Sequence, residues 1–535
     1  MRGTGVRELG SHLHRWSREH WEYLLVASIT LVAALLRLLF LAQFPLGLQG
    51  DEAWMGLESQ RIVREGWIGI WTPVGWGQPT GVFYWTAFLF RFLPDTVGVL
   101  RAAIALLSVA TIPVSYLFVR SLFGRRAALI GTALLAFSYW DIHYSRTAFS
   151  LIAAPLVECG TLLFLAKGIE KRRTWPFLVA GLLAGLGVYT YRGYLFFALL
   201  LMASWGTILL TRPYDLKRLT RHTLAFALPA VLVALPMLLF ILNNYGDYSG
   251  YGRVVSIFAN GDLQAATQKG EALSFLMGKA ERAIAIYYYG GSADFTDGLG
   301  SSPLLDPVAL ALFSIGLVIC LWRWRCWQSW LLLGGVAMGL ATVAATVSWG
   351  ENRRGILALP LVFAAAGVGG DALIAFLQRL SQRFRTLGHL LRPAVAYPCL
   401  VGLLLFLAGW NSYLYFGNIA RSETMRFAYA YELSRASSYL DSLEGEKPYV
   451  YFYSDRWSWS YEARRFQAPG LEGEDRSQVF GRFSLERGPH YQRVLYLLMP
   501  PYDRYQEEIE ELYPSAECTT TTEGGRLLFV ACLLD

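Results

Sequence analysis

Three short polar clusters interrupt a strongly apolar sequence, and each holds side chains that could move protons or bind an anion. The first is Gly50-Asp51-Glu52-Ala53-Trp54. Adjacent carboxylates beside an apolar segment repel each other and lose hydration, so they usually serve a reaction or hold a cation. One could act as general base while its neighbour binds a cation or a hydroxyl. The same pair also suits a helix start, with Asp51 as N-cap and Glu52 at the positive end of the helix. The two uses are compatible, because a capped helix end is a rigid mount. The second cluster is Tyr139-Trp140-Asp141-Ile142-His143-Tyr144-Ser145-Arg146-Thr147. Asp141 and His143 are candidate polar groups for a site, and the planar fork of Arg146 suits a phosphate. An interfacial aromatic belt accounts for the rings equally well. The third is Ser348-Trp349-Gly350-Glu351-Asn352-Arg353-Arg354. Arg353 and Arg354 could hold a lipid phosphate; pairing with Glu351 or with headgroups is the plainer use. Arg192, in Tyr189-Thr190-Tyr191-Arg192-Gly193-Tyr194, is a candidate of the same kind. Arg37 and Arg101 lie closer to apolar stretches and suit a bundle interior, with no role assigned.

The elements that must position these clusters are membrane spans. The chain is 54% hydrophobic and 16% charged, with mean hydropathy +0.36, against roughly 25% charged residues in soluble domains. Apolar runs near the ~20 residues that cross a bilayer recur along it. Eleven spans are predicted, at 23–43, 97–119, 127–141, 149–166, 175–190, 194–210, 223–242, 307–322, 329–348, 355–377 and 394–416. Segments on the N-terminal side of these spans carry 21 Lys/Arg in about 70 residues, and the opposite loops 11 in about 130. That asymmetry predicts a cytoplasmic N-terminus and, with an odd span count, a C-terminus outside. The basic excess is therefore orientation information, and nucleic acid is not an expected partner. The first apolar stretch is too long for a cleavable signal peptide and contains Arg37.

Two outward loops are long. Loop 44–95 opens with a helix-like stretch, Asp51 to Glu65, whose Trp54, Leu57, Ile62 and Val63 would let it lie in the membrane interface. Loop 244–305 contains an amphipathic segment, Gln264 to Tyr289. Residues 421–535 carry 13 Lys/Arg against 19 Asp/Glu. They hold three β-like runs, Pro448–Tyr453, Arg493–Met499 and Arg526–Leu534, with helix-like stretches at Met425–Leu443 and Arg504–Tyr513. The expected organisation is a membrane unit over 1–420 and a small extracytoplasmic α/β unit over 421–535. Four of the six cysteines read as packed thiols. Cys518 and Cys532 could pair in an oxidising compartment. No phosphate loop, dinucleotide fingerprint or zinc spacing occurs, so an activated substrate would arrive through the membrane.

These features together resemble the GT-C superfamily. The Asp-Glu pair after the first span, the interfacial helix, and the Gln78-Pro79-Thr80-Gly81-Val82-Phe83-Tyr84-Trp85 segment all take part in the match. So do the outward His143-Tyr144-Ser145-Arg146 and the Gly-rich stretch ending in Val188-Tyr189-Thr190-Tyr191. The nearest resemblance is to glycosyltransferase family 39, with its protein O-mannosyltransferases and lipid A aminoarabinose transferases, over roughly residues 20–420. It implies a polytopic α-helical membrane protein of about eleven transmembrane helices with a small C-terminal α/β domain, in a plasma (inner) membrane. It implies transfer of a sugar, with inversion, from a polyprenyl-phosphate carrier to a lipid, glycan or protein acceptor on the non-cytoplasmic face. Asp51 would be the general base, with Glu52 assisting. Asp141 and His143 would form a second loop motif for acceptor or metal, and Arg146, Arg353, Arg354 and Arg192 would hold the donor phosphate. The resemblance requires no particular cofactor and leaves a divalent metal ion open. Transfer of a preassembled glycan, the alternative enzymatic reading, predicts such a metal between the first two loops. A lipid-sugar transporter is the non-enzymatic alternative. The aminoarabinose transferases have Lys before two prolines where this chain has Gln78-Pro79-Thr80, which separates it from their acceptor and sugar preference.

Overall fold

The structure is a computed structural model that describes residues 4–211, 215–290, 299, 302–348, 351–383, 393–488 and 493–535. Trp349 and Gly350 of the third cluster, and residues 291–298 of the second long loop, lie outside the described residues.

Backbone within hydrocarbon must satisfy its own polar groups, which favours helices. The first are α1 (Thr4–Leu38), α2 (Gly50–Glu65), α3 (Gly81–Phe90), α4 (Val97–Phe123), α5 (Arg125–Phe137) and α6 (Tyr139–Ser145). Next come α7 (Ala153–Lys171), α8 (Trp175–Gly187), α9 (Leu195–Thr211), α10 (Leu216–Asn243), α11 (Tyr245–Val255) and α12 (Asp262–Gln268). The helical bundle closes with α13 (Ala272–Tyr288), α14 (Pro307–Trp322), α15 (Trp327–Ala344), α16 (Glu351–Arg354), α17 (Leu359–Arg383) and α18 (Pro393–Ser412). Every one of the eleven expected spans overlaps one of these helices. Among the described residues, seven helical runs are long and apolar enough to cross a membrane. The chain is a polytopic α-helical membrane protein with a small C-terminal unit built on a sheet.

Close packing of the bundle relies on small residues, as expected where lipid offers no hydrophobic drive between helices. Gly316 of α14 and Gly369 of α17 each lie against a carbonyl of the other helix, leaving no room for a Cβ. Between α2 and α3 the chain forms a two-stranded antiparallel ribbon, β1 (Trp71–Thr72) with β2 (Gln78–Pro79). The expected amphipathic segment of the second loop is two helices, α12 and α13, broken around Gly270 at φ +75°.

Buried arginines tie the bundle together. Arg37 Nη2 lies 2.6 Å from Asp141 Oδ2, with both side chains almost fully buried. Its Nη1 donates to the carbonyl of Ala136 at 2.8 Å. Arg101 donates to both Glu52 oxygens, from Nε at 3.1 Å and from Nη2 at 2.9 Å, and neither side chain is exposed. It also donates to the carbonyls of Leu41, Pro45 and Gly47. Arg146 gathers the carbonyls of Leu36, Phe40 and Phe44 around the end of α1 and lies over the ring of Phe416.

The C-terminal unit has helices α19 (Glu423–Ala428), α20 (Tyr431–Asp441), α21 (Glu462–Gln467) and α22 (Gln506–Leu512). Its strands are β3 (Tyr449–Tyr453), β4 (Gly473–Asp475), β5 (Val494–Leu498), β6 (Glu517–Glu523) and β7 (Arg526–Leu534). The sheet order is β4-β3-β5-β7-β6. The pairs β4–β3 and β3–β5 are parallel, and the other two are antiparallel. The three β-like runs expected from sequence are β3, β5 and β7. Strands β4 and β6 carry no apolar run, and β6 reads Glu-Cys-Thr-Thr-Thr-Thr-Glu along an edge. A disulfide joins Cys518 and Cys532, which are directly opposed in the β6–β7 register. The helical stretch expected at Met425–Leu443 is broken at Ala430, which sits at φ +45°.

Removing one partner of a fully buried ion pair strands the other charge. Arg101→Met or Glu52→Gln should therefore cost about 3–5 kcal/mol. The combined Glu52→Leu/Arg101→Met change should recover much of that loss. Thermal melting of detergent-purified protein checks it; single variants that melt like the parent would refute the role given to this pair.

Candidate active site

The first cluster sits at the start of α2, and the helix cap sorts its two carboxylates. The N-cap is Gln49, not Asp51: Gln49 Oε1 accepts from the Asp51 N–H at 2.7 Å, and the Gln49 N–H donates to Glu52 Oε2 at 3.2 Å. Neighbours on a helix point about 100° apart, so the two acids part company. Glu52 turns into the protein, held by Arg101 and by the N–H of Ala148 at 2.7 Å. Asp51 keeps 37% exposure at its side chain and forms an ion pair with Arg353 Nη1 at 3.0 Å. The helix is packed against other parts of the protein. Ser59 donates to the Phe83 carbonyl of α3, Arg101 reaches it from α4, and Phe466 of α21 packs on Gly56.

A cavity of about 270 Å³ opens beside Asp51 and is also lined by Arg192, Arg353 and Arg354, with Tyr191 and Tyr251 in its walls. Arg353 rests over the ring of Phe149, 5.5 Å from its centre. Arg354 is buried and donates to the Val347 carbonyl at 2.7 Å. Arg192 lies over Trp71 at 4.7 Å and over Tyr251 at 5.0 Å. Its Nη2 donates to the carbonyls of Trp76 and Gly77. Glycine is required at 77: φ is +80°, and a Cβ would fall 2.7 Å from the Trp71 ring and 2.8 Å from Arg192. The tight turn before β2 and the cationic wall are therefore one construction. Burial pushes the Tyr191 hydroxyl up to about 12, so it stays neutral at ordinary pH.

Of the expected site residues, the structure brings Asp51, Arg192, Arg353 and Arg354 to one cavity. Glu52, Asp141, His143 and Arg146 are not among the residues that line it. Glu52 is held inward by Arg101. Asp141 is engaged by Arg37 and by Ser108 Oγ at 3.2 Å. His143 is fully buried among the rings of Tyr144, Tyr415 and Tyr429. Arg146 is taken up by the carbonyls around the end of α1. Burial of the whole of α6 explains the departure: a cluster expected at the outer boundary is interior. A metal shared between the first two loops does not fit these side chains, because the Asp141 carboxylate already neutralises Arg37. Among the described residues, no three His, Cys, Asp or Glu side chains cluster.

Other residues near the site carry no sequence signal of their own. Gln49 caps α2. Asn352, beside the two cavity arginines in sequence, is 1% exposed, and among the described residues neither of its amide atoms has a hydrogen-bond partner. Tyr461 and Glu462 come from the C-terminal unit: a Cβ at Gly50 would lie 3.0 Å from Tyr461 Oη and 3.7 Å from Glu462 Oε2. The available hint is the run of glycines, Gly47, Gly50 and Gly56, around the acidic pair.

Residues 77–241 match the family model described as dolichyl-phosphate-mannose-protein mannosyltransferase. No curated protein sequence matches the chain. Among solved structures, ArnT from Cupriavidus metallidurans in the apo state superposes with a TM-score of 0.54 at 14% identity, over 97% of this chain and 98% of that one. The same protein bound to undecaprenyl phosphate gives 0.53 at 14%, over 96% and 98%. The Archaeoglobus fulgidus oligosaccharyltransferase tethered with an acceptor peptide gives 0.51 at 15%, over 86% of this chain, which spans 64% of that longer protein. The fold is the GT-C fold, here with an acidic helix start in its long first loop. The family match covers under a third of the chain, whereas the likeness of fold extends over nearly all of it.

The two kinds of arginine should respond differently to substitution. Arg192→Met should loosen the turn at 71–79 and speed chymotryptic cleavage at Trp71 or Trp76, whereas Arg353→Met should leave that turn protected. Equal cleavage rates in both variants would show that the carbonyl contacts of Arg192 do not hold the loop.

Proposed function

We propose that the protein is a membrane glycosyltransferase that moves a sugar from a polyprenyl-phosphate carrier to an acceptor hydroxyl on the non-cytoplasmic face, with inversion. The observation that carries this reading is the cavity where one partly exposed carboxylate, Asp51, meets three arginines. Its two kinds of group match the two halves of the reaction. A phosphate leaves as an anion, so cations lower its barrier and no acid has to protonate it. The acceptor hydroxyl, in contrast, must lose its proton, and a positioned carboxylate can take it. Arg353 touches Asp51, so a donor phosphate held by Arg353 and Arg354 would lie close to the base. ArnT, of the same fold, has been crystallised with undecaprenyl phosphate, which supports a lipid-phosphate donor. The acceptor is a lipid, a glycan or a protein.

In this reading the N-terminus is cytoplasmic and the C-terminal unit faces outward from the plasma membrane. Two observations support that orientation: the Lys/Arg asymmetry of the loops, and the Cys518–Cys532 disulfide, which suits an oxidising compartment.

Purified Asp51→Asn protein should lose at least about 100-fold in transfer rate while melting like the parent. Unimpaired transfer by this variant would remove Asp51 as the base. Orientation has its own test. The exposed native Cys326 should resist an impermeant maleimide in intact cells and react after permeabilisation. A cysteine introduced by Asp535→Cys should react in intact cells, and the opposite labelling pattern would invert the topology.

A further inference from the structure

The segment that carries Asp51 is covered by the C-terminal unit at backbone level. Gly47 packs against the carbonyl of Tyr429, and the N–H of Leu48 donates to Ser434 Oγ at 2.9 Å. The hydroxyl of Tyr461 stands against Gly50, and the ring of Phe466 lies on Gly56, where a Cβ would come within 2.5 Å of it. Phe466 also stacks on Phe90 of α3 at 6.4 Å. A side chain larger than hydrogen at 56 would have to displace the Phe466 ring. The C-terminal unit is thus seated on the helix that presents the base.

What it brings there is chemically specific. Tyr461 and Glu462 end the connection that leaves β3, the middle member of three parallel strands. The carboxyl ends of parallel strands are where open α/β sheets characteristically present ligand-binding groups. Glu462 is partly buried, and its Oε2 lies 3.7 Å from where a Cβ would stand on Gly50, the residue before Asp51. The arginines reach the cavity from other elements, Arg353 and Arg354 from α16 and Arg192 from the turn before α9. A carboxylate next to the base repels a phosphate and attracts a group that donates hydrogen bonds. In an inverting displacement the attacking oxygen and the leaving group occupy opposite faces of the sugar, so carboxylates and arginines brought by different elements suit the two ends of the reaction; Glu462 stands against Gly50, beside the residues that line the cavity.

We propose that Glu462, carried by the C-terminal unit, is a positioning residue that holds a hydrogen-bond-donating group of the acceptor next to Asp51, so that the acceptor site is assembled from both units of the chain. This rests on the glycosyl-transfer reading above. The groups acting on Glu462 are Asp51 from α2, with Arg465 on its own helix and its own backbone N–H; Tyr461 lies between it and Gly50. Burial raises the Glu462 carboxyl above its ordinary range and Asp51 adds to the rise, while its backbone N–H and Arg465 oppose it. The sign follows: as pH falls through that raised value, Glu462 becomes neutral and its hydrogen bond from the acceptor loses the strength that the charge gave it.

The test uses the full-length protein with a detergent extract of source-organism membranes as the supply of carrier-linked sugar and acceptor. Transfer is read against extract concentration and against pH. Glu462→Gln should raise the apparent KM for the extract about tenfold, the scale of one hydrogen bond to a charged group, with a smaller change in the rate at saturating extract. It should also move the acid limb of the pH profile to lower pH, because the group that titrates there is gone. Glu462→Asp should recover most of the loss, and all variants should melt like the parent. Glu462→Gln with parental KM and pH profile, beside an inactive Asp51→Asn, overturns the proposal alone. No transfer by the parent, or full transfer by Asp51→Asn, overturns the glycosyl-transfer reading first and this role with it.

Discussion

The buried pair between Glu52 and Arg101 sets the geometry on which the site depends. Arg101 binds both oxygens of Glu52 and three carbonyls of the segment that leads from α1 into α2. That single guanidinium therefore fixes the path of the chain and the rotation of the helix at once. With Glu52 pinned inward, the helical turn carries Asp51 toward the cavity. Desolvation makes such a pair costly unless its hydrogen bonds are filled. Here Glu52 also accepts from two backbone N–H groups, those of Gln49 and Ala148. The second of these ties the rigid start of α2 to the loop that lines the cavity at Phe149.

Arginine recurs through the protein in two distinct settings. Arg37, Arg101 and Arg146 are fully buried and are consumed by carboxylates or by backbone carbonyls at the ends of helices. Their planar forks do for chain ends what capping residues do elsewhere. Arg192, Arg353 and Arg354 instead line an open cavity. Within that group the settings differ again: Arg192 is packed among aromatic rings and holds two carbonyls, whereas Arg353 faces the carboxylate of Asp51. A charge near a membrane boundary is therefore not evidence of a ligand by itself; the partners it already has decide what remains available.

The C-terminal unit changes what the first loop can be. A helix with one apolar flank and an acidic start reads as an interfacial element while its other side is unknown. Covered by α21 and flanked by α3 and α4, it is an enclosed mount. The sheet supplies that cover through a mixed arrangement in which β3 and β5 are buried and β6 is an exposed polar edge. The disulfide joins this edge strand to its neighbour β7.

The sequence by itself determined the eleven helical stretches, the sheet-forming character of the C-terminal segment at β3, β5 and β7, and the candidacy of Asp51, Arg192, Arg353 and Arg354. These follow from apolar run length, alternation and residue type, all of which are local. Residue type alone could not separate Asp51 from Glu52, because both are acids one position apart; the resemblance singled out Asp51, and Gln49 and Arg101, the latter distant in sequence, separate their directions. Nor could it tell that Asp141, His143 and Arg146 lie inside the bundle: a cluster at a span end reads alike whether it meets water or protein. The edge strand β6 was illegible for a related reason, since its run of threonines is largely solvent-facing and leaves no apolar pattern. Tertiary structure alone decided which acid meets the arginines, which arginines already have their partners, and that Tyr461 and Glu462 arrive beside Gly50. Each is a contact between segments far apart in the chain, where the deciding quantity is burial, and burial is not a property of any one segment.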